Sequence, residues 1–259
     1  MKPGYMTSVC PKQTLPELIA TAKKHGYQGL EFRVEWDHNH GVELDSSAEQ
    51  IRAAKQMLAD NDIAATCIAT GVKFNSAEAA DHLPQRETLR RYITLAADLG
   101  VPTIRTFSDS VPEEDEAARN TVLNLAAESY AAVDEWAKQH AVQVLVETHT
   151  NMRAHWARQI LDTAAADSLS ILWDPAHHLR YNQPVADAYP YLRGHVPHLH
   201  YRSDPESTTL TDAANQEVFN LLGADGFSGF FSLEIINPAD SEAVLAYNIA
   251  KYHQYMQAV

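Results

Sequence analysis

Features that define several special classes of protein are missing from this 259-residue chain. Its two cysteines, Cys10 and Cys67, are too few for a disulfide framework, and we expect both to be buried as small hydrophobic residues. No apolar run approaches the roughly 18 residues of a membrane span, and no apolar stretch follows a basic N-terminus. We therefore expect a cytoplasmic protein without a signal peptide.

Basic residues are also scarce. Lys and Arg number 20 against 34 Asp and Glu, so the formal net charge is −14, and no basic run exceeds a pair. A negative field repels nucleic acids and anionic membranes. Glycine is limited to 10 residues and no G-x-G-x-x-G motif is present, which disfavours a dinucleotide or phosphate loop. The composition predicts no nucleic-acid or membrane partner and favours a mostly uncharged substrate.

Short apolar, β-rich runs alternate with longer stretches of helical spacing along the whole chain. The alternation shows no linker and no change in composition, and it includes a long helix predicted over 115–139. It therefore predicts an α/β protein that forms a single (β/α)8 TIM barrel, with residues 1–259 as one domain. A doubly wound open sheet is the alternative, disfavoured by the lack of a glycine-rich loop. The predicted strands cover 5–9, 29–33, 64–69, 103–107, 143–147, 170–174, 195–201 and 230–235.

Four of the predicted strands end on side chains that can bind a metal ion. The last such residues of the fifth to eighth strands are Glu147, Asp174, His200 and Glu234. Because barrel sites lie at the C-terminal ends of strands, we expect them to converge. Three neighbouring carboxylates would repel one another, and a divalent cation would relieve that repulsion. This oxygen-rich set suits Mn²⁺ or Mg²⁺ best, with Co²⁺ or Zn²⁺ as alternatives.

This order of residues resembles the xylose isomerase-like TIM-barrel superfamily, which includes ketose 3-epimerases, hydroxypyruvate isomerases, inosose dehydratases and family 2 AP endonucleases. The resemblance covers essentially the whole chain. Its local motifs are specific for the superfamily and weak for any one substrate. They are Glu147-Thr148-His149, Asp174-Pro175-Ala176-His177, His198-Leu199-His200 followed by Asp204, and Gly29-Leu30-Glu31-Phe32-Arg33.

The resemblance implies a sugar isomerase or epimerase that depends on one divalent metal ion, held by the four strand-end residues. Glu147 and Glu234 would be the catalytic pair, one removing a proton to form a metal-bound enediolate and the other returning a proton. His177, Arg202 and His149 would bind the substrate. His177 could instead cap a helix, and His149 could support a ligand or pack. Arg202 stands at a different offset from the corresponding basic residue of the epimerases.

Other residues near the predicted mouth have two interpretations each. Arg33 and Arg105 could face the mouth, or each could pair with an acidic neighbour such as Glu31. Trp36 could stack on a sugar ring, although core packing is the favoured interpretation. The loop over 36–47 is expected to cover one mouth of the barrel. Its charged and histidine residues, interpreted as a solvated loop rather than a second metal site, are His38, His40, Glu43 and Asp45.

Two alternatives to the isomerase or epimerase hypothesis stay open. One is a metal-dependent dehydratase of an inosose or dehydroshikimate-like substrate, and the other is an inactive sugar-binding barrel. An AP endonuclease is disfavoured because the extra histidines and the D-x-H motif of its trinuclear metal cluster are missing. We expect a small sugar or cyclitol as the ligand. The sequence identifies neither the sugar nor the carbon that reacts, and it leaves a homo-oligomer open.

Overall fold

The computed structural model describes residues 1–259, which form eight strands and nine helices. The strands are β1 (Lys2–Met6), β2 (Gly29–Arg33), β3 (Ala64–Lys73), β4 (Thr103–Phe107), β5 (Gln143–Glu147), β6 (Leu169–Trp173), β7 (His198–Tyr201) and β8 (Phe230–Leu233). The helices are α1 (Leu15–His25), α2 (Ala48–Asp60), α3 (Ala79–Leu99), α4 (Glu116–Gln139), α5 (Ala154–Ala164), α6 (Pro175–Arg180), α7 (Val185–Leu192), α8 (Asp212–Ala224) and α9 (Ser241–Met256).

All neighbouring strands are parallel, and they close into a barrel in sequence order. β8 pairs with β1, with Lys2 opposite Phe230 and Tyr5 opposite Leu233. β5 and β6 are almost entirely buried along their length, as strands are when helices cover the outside of a barrel. The predicted α/β class and single (β/α)8 TIM barrel are confirmed.

Local sequence signals set the ends of the helices. In α1, Thr14 and Glu17 form a reciprocal capping box, and Gly26 ends the helix in the left-handed conformation at φ 82°. In α4, the side chain of Asp115 accepts a hydrogen bond from the Ala118 amide. The long helix predicted over 115–139 therefore begins and ends almost as expected. None of the nine helices combines the length and the apolarity needed to cross a membrane.

The strand ends differ from the predictions by a few residues. β1 stops at Met6, and the chain continues as a 3-10 turn, while β3 extends to Lys73. Asp174 lies one residue beyond β6, because its side chain caps α6 and Pro175 cannot extend a strand ladder. Glu234 lies one residue beyond β8, although its amide still donates to the Tyr201 carbonyl. Both acidic residues therefore stand at the rim of the barrel.

One continuous apolar core fills the space between the barrel and its helices. Large side chains such as Trp173, Tyr5 and Phe32 are fully buried in it. Cys10 and Cys67 are buried free thiols, which confirms the prediction made for them.

Tight packing at the N-terminal end of β2 leads to a stability prediction. A Cβ atom at Gly29 would overlap Thr66 Cγ2 and would lie 2.6 Å from Phe230 Cε1. Thr66 cannot turn away freely, because its hydroxyl donates to the Leu30 carbonyl at 3.1 Å. We expect Gly29→Ala to lower the free energy of unfolding by about 1–3 kcal/mol, measured by denaturant titration.

Gly4→Ala is the matched control on the neighbouring strand. The nearest atom to a Cβ there is the Gly29 carbonyl oxygen at 3.3 Å, a milder contact. Equal stability losses in the two variants would contradict this account of the packing.

Candidate metal centre and substrate cavity

Four side chains that can bind a metal meet at the C-terminal end of the barrel. One donor atom from each lies within 4.8 Å of the donor atoms of all the others. They come from β5, β7 and the residues that directly follow β6 and β8. The structure thus brings together the set singled out in the sequence, and its role as a ligand set stays a prediction. The four residues are Glu147, Asp174, His200 and Glu234.

Unsatisfied oxygens in this cluster fit a cation. Asp174 Oδ2 and Glu147 Oε2 are buried and accept no hydrogen bond. The other oxygen of Asp174 is occupied, because it accepts from the Ala176 amide at 2.8 Å. A buried carboxylate oxygen without a partner is costly, and a divalent ion placed between such oxygens would remove that cost. The donor set of three carboxylates and one imidazole suits an oxygen-preferring ion.

His200 is held from both sides of its ring. Its Nε2 donates to Glu31 Oε1 at 3.0 Å, and its Nδ1 lies 3.0 Å from Glu147 Oε1. A second histidine, His198, donates from Nε2 to the other oxygen of Glu31 at 2.9 Å. Because carboxylate oxygens only accept, Glu31 fixes a proton on Nε2 of His200. Nδ1 is then the ring atom that faces the carboxylate cluster.

The pKa values of these groups reflect their crowding. Burial raises the pKa of Glu234, and the charges of Glu147 and Asp174 raise it further. Burial acts in the same direction on Glu147, but the charges of His200 and Arg105 outweigh it and lower the pKa of that carboxyl. For His200, burial favours the neutral ring, but the surrounding carboxylates, led by Glu234, hold its pKa well above the usual value. The site therefore stabilises positive charge at its centre.

A cavity of about 760 Å³ opens above the cluster and is lined by Glu234. That volume lies within the usual range for small-molecule sites. The three residues predicted to bind substrate all line it, and they are His149, His177 and Arg202.

The two histidines that line the cavity, His149 and His177, lie side by side. Their rings lie 4.5 Å apart, and His149 Nδ1 lies 3.0 Å from Asp109 Oδ2. Burial opposes the charged form of His149, but the hydrogen bond to Asp109 and the charge of Glu147 raise its pKa. Burial lowers the pKa of His177, whose Nδ1 has no partner. Asp109 follows β4 without a recognisable motif, so the sequence offered no signal for this contact.

Several interpretations of mouth residues need correction. Glu31 pairs with His198 and His200, and with neither arginine suggested from the sequence. Arg33 and Arg105 both line the cavity, and Arg105 Nη1 lies 3.2 Å from Glu147 Oε2. The sequence signal for an inward-facing role was the position of Glu31 in the middle of a short strand pattern, between Leu30 and Phe32.

The loop over 36–47 borders the cavity through Trp36, which is 51% exposed, so the expectation of core packing was wrong for this residue. The solvated interpretation was wrong for His40, which is 3% exposed. Its Nε2 donates to the Arg33 carbonyl, and its Nδ1 accepts from the Val42 amide, both at 3.0 Å. The loop contributes no cluster of donor atoms that could hold a second metal.

Comparisons with known proteins agree with the barrel fold. The family model described as xylose isomerase-like TIM barrel matches residues 19–254. Among curated proteins, none is significantly similar to this chain.

Solved structures with the same fold include enzymes that act on sugars and related compounds. The apo form of 3-keto-D-glucoside 4-epimerase from E. coli is 17% identical with a TM-score of 0.78, over 99% of both chains. The probable 3-DHS dehydratase from Bacillus anthracis is 18% identical with a TM-score of 0.74, over 98% of this chain and 99% of that one. The IOLI protein with a bound zinc atom is 15% identical with a TM-score of 0.75, over 100% and 97%. At sequence identities of 15–18%, these similarities establish the fold alone.

A third histidine behind the cavity, His178 in α6, is fully enclosed and has no hydrogen-bond partner on either ring nitrogen. Its ring centroid lies 6.4 Å from that of Trp173. Burial lowers its pKa to about 3. The unfolded chain therefore binds a proton that the folded protein excludes, and stability is lost as the pH falls from 6.5 toward 3.

We expect His178→Leu to reduce the acid sensitivity of the protein. Each pH unit below the unfolded pKa costs the wild type about 1.4 kcal/mol at this position, and the variant avoids that cost. The measurement is the melting temperature at pH 7.5 and at pH 5, and the variant should show the smaller decrease. His253→Leu, at an exposed histidine, is the control and should behave like the wild type. An unchanged pH dependence in His178→Leu would contradict the assignment.

Proposed function

The chain belongs to the xylose isomerase-like TIM barrel family, and from this premise we propose that it is a divalent-metal-dependent sugar isomerase or epimerase. We also propose that residues 1–259 act as one domain. The observation that carries the proposal is the convergence of Glu147, Asp174, His200 and Glu234, with two buried oxygens that accept no hydrogen bond, beside a cavity of sugar size. Family membership and the sugar epimerases among proteins of the same fold support it.

In this proposal the four residues of the cluster hold one divalent ion. Mn²⁺ or Mg²⁺ suits three carboxylates and one imidazole best. The zinc atom of the IOLI protein makes Zn²⁺ the first ion to compare with them. When bound, the ion would polarise a carbonyl oxygen of the sugar and increase the acidity of the adjacent C–H bond.

Glu147 and Glu234 are the proposed proton carriers. Their carboxylates lie 3.0 and 3.5 Å from the same nitrogen of His200, so both border the centre of the site. Glu147 is held ionised by its cationic neighbours and can accept a proton. Glu234 faces the cavity and has a raised pKa, so it can carry a proton to or from the substrate. Transfer between the two faces of one carbon gives epimerisation, and transfer between adjacent carbons gives isomerisation.

The remaining cavity residues are proposed to position the sugar. His177 Nδ1 is buried without a partner, so a substrate hydroxyl could satisfy it. His149 is oriented by its contact with Asp109. Arg202 Nη1 lies 3.9 Å from both Asp174 and Glu234, at the boundary between the cluster and the cavity. Each of these groups can donate hydrogen bonds to hydroxyl or carbonyl oxygens.

The main test is proton exchange with solvent. A panel of free ketoses, aldoses and cyclitols is incubated with the protein and Mn²⁺ in D₂O, and deuterium at carbon is followed by NMR and mass spectrometry. We expect exchange with the wild type and a loss of about 100-fold or more in Glu147→Gln, because the carboxamide cannot accept the proton. Glu128→Gln, at an exposed glutamate of α4, is the matched control and should retain full exchange.

Metal analysis accompanies this screen. The proposal is wrong if the wild type binds no divalent ion and Asp174→Asn changes nothing. A new UV-absorbing enone would identify a dehydratase instead. Sugar binding without exchange or turnover would identify a binding protein.

Metal affinity tests the part of the proposal that concerns Glu31. In Glu31→Gln an NH₂ donor replaces one of the two oxygens that accept separately from His198 and His200, and the negative charge is lost, so the proton on His200 Nε2 should be held less firmly. We expect Mn²⁺ and Zn²⁺ to bind about 10- to 100-fold more weakly by calorimetry.

Glu128→Gln is again the control, and far-UV circular dichroism checks that each variant is folded. Unchanged affinity in Glu31→Gln, with a clear loss in His200→Asn, would contradict the orienting role of Glu31.

A further inference from the structure

Arginines are concentrated at the cavity although the chain as a whole is acidic. Three of them reach it from three separate strands: Arg33 ends β2, Arg105 lies in β4, and Arg202 follows β7. Arg180 of α6 also lines the cavity. A neutral sugar needs no such excess of guanidinium groups, so their individual contacts are informative.

The carboxylate cluster accounts for only part of this positive charge. Arg105 contacts Glu147 at 3.2 Å, and Arg202 lies at 3.9 Å from two carboxylates. Arg33 has no acidic group within 4.0 Å and makes no side-chain hydrogen bond, although it is half-buried. The Nε of Arg105 is buried and also lacks a partner. The guanidinium of Arg33 therefore has its donors free, and Arg105 beside it has one buried donor without a partner.

Aromatic rings hold these two guanidiniums in place. The Arg33 guanidinium carbon lies 4.1 Å from the centroid of Trp36, and that of Arg105 lies 4.0 Å from the centroid of Phe107. Stacking of this kind occupies the face of a guanidinium and leaves the N–H donors at its edge available. Burial and the charge of Arg105 lower the pKa of Arg33, while the charges of Glu234 and Glu147 act in the opposite direction.

A cation in the cluster would add to the positive charge at the cavity. A divalent ion would neutralise two of the three charges of Glu147, Asp174 and Glu234, and Arg33 would still have no carboxylate within 4.0 Å. The loaded site would then favour a ligand that brings a negative charge of its own. The acidic composition of the whole chain favoured a mostly uncharged substrate. An average over the whole chain, however, contains no information about the charge of one cavity.

We propose that the substrate of this site is an acidic sugar whose carboxylate is bound by Arg33 and Arg105. This inference rests on the proposed function, since it places the carboxylate beside the same metal cluster. A carboxylate presents two coplanar oxygens that match the edge of a guanidinium. No glycine lines the cavity, so it lacks the amide-rich loop that typically binds phosphate. A carboxylate is therefore favoured over a phosphate.

Calorimetric titration with matched ligands tests the proposal. The Mn²⁺-loaded protein is titrated with D-fructose and D-tagatose, with their C6 acids D-fructuronate and D-tagaturonate, and with their 6-phosphates. We expect at least one acid to bind about tenfold or more tightly than its neutral parent. Arg33→Gln should remove this preference, and Arg33→Lys should restore part of it. Both variants should still bind Mn²⁺, and their circular dichroism should not change.

Arg52→Gln, at an exposed arginine of α2, is the matched control and should keep the wild-type preference. The proposal is overturned if neutral sugars bind as tightly as the acids, if the 6-phosphates bind most tightly, if no acid binds, or if the preference survives in Arg33→Gln. Failure of Mn²⁺ to bind would count against the proposed function alone. The preference for acids would then be measured on the metal-free protein, where Arg33 and Arg105 are equally present.

Discussion

Burial of three carboxylates around one imidazole is the constraint that organises this end of the barrel. Glu147 and Asp174 are fully enclosed, and each keeps an oxygen without a hydrogen bond. Such groups are stable in a protein interior only when positive charge lies close to them. His200, Arg105 and Arg202 supply part of that charge from within the chain. The proposed divalent ion would supply further positive charge beside the two oxygens that accept no hydrogen bond.

The interior of the barrel also contains a polar network below the cluster. Glu31 of β2 binds His198 and His200 of β7, and all three side chains are buried. Barrel interiors are normally filled with branched apolar side chains. A polar group there must be fully hydrogen-bonded to be tolerated, and both oxygens of Glu31 are. The network also orients His200: Nε2 is bound by Glu31, so Nδ1 faces Glu147 and the rest of the carboxylate cluster.

The charge of the molecule is separated between its surface and its cavity. The chain has a net charge of −14, yet four arginines line the cavity above the carboxylate cluster. Electrostatic attraction of a ligand depends on the local field at the mouth, where low-dielectric walls focus it. The proposed acidic substrate would require no change of fold, since function depends on the site.

Most of the fold and the centre of the site could be predicted from sequence. The alternation of eight strand and helix patterns predicted the barrel, because each pattern is a local property of consecutive residues. The rule that parallel strands present their C-terminal ends on one face then placed Glu147, Asp174, His200 and Glu234 together. Errors at strand ends were limited to a few residues, and the error at Asp174 arose because a helix cap competed with the strand.

The partners of individual side chains were decided only by the tertiary structure. Glu31 and His200 are 169 residues apart, and Arg33 meets Arg105 only when β2, β3 and β4 lie side by side. Closure of the barrel sets these distances, and no local pattern encodes them. Sequence alone therefore determined the architecture and the four residues that converge. Only the folded chain determined that Nδ1 of His200 faces the carboxylates and that arginine side chains line the cavity, because both depend on contacts between distant strands.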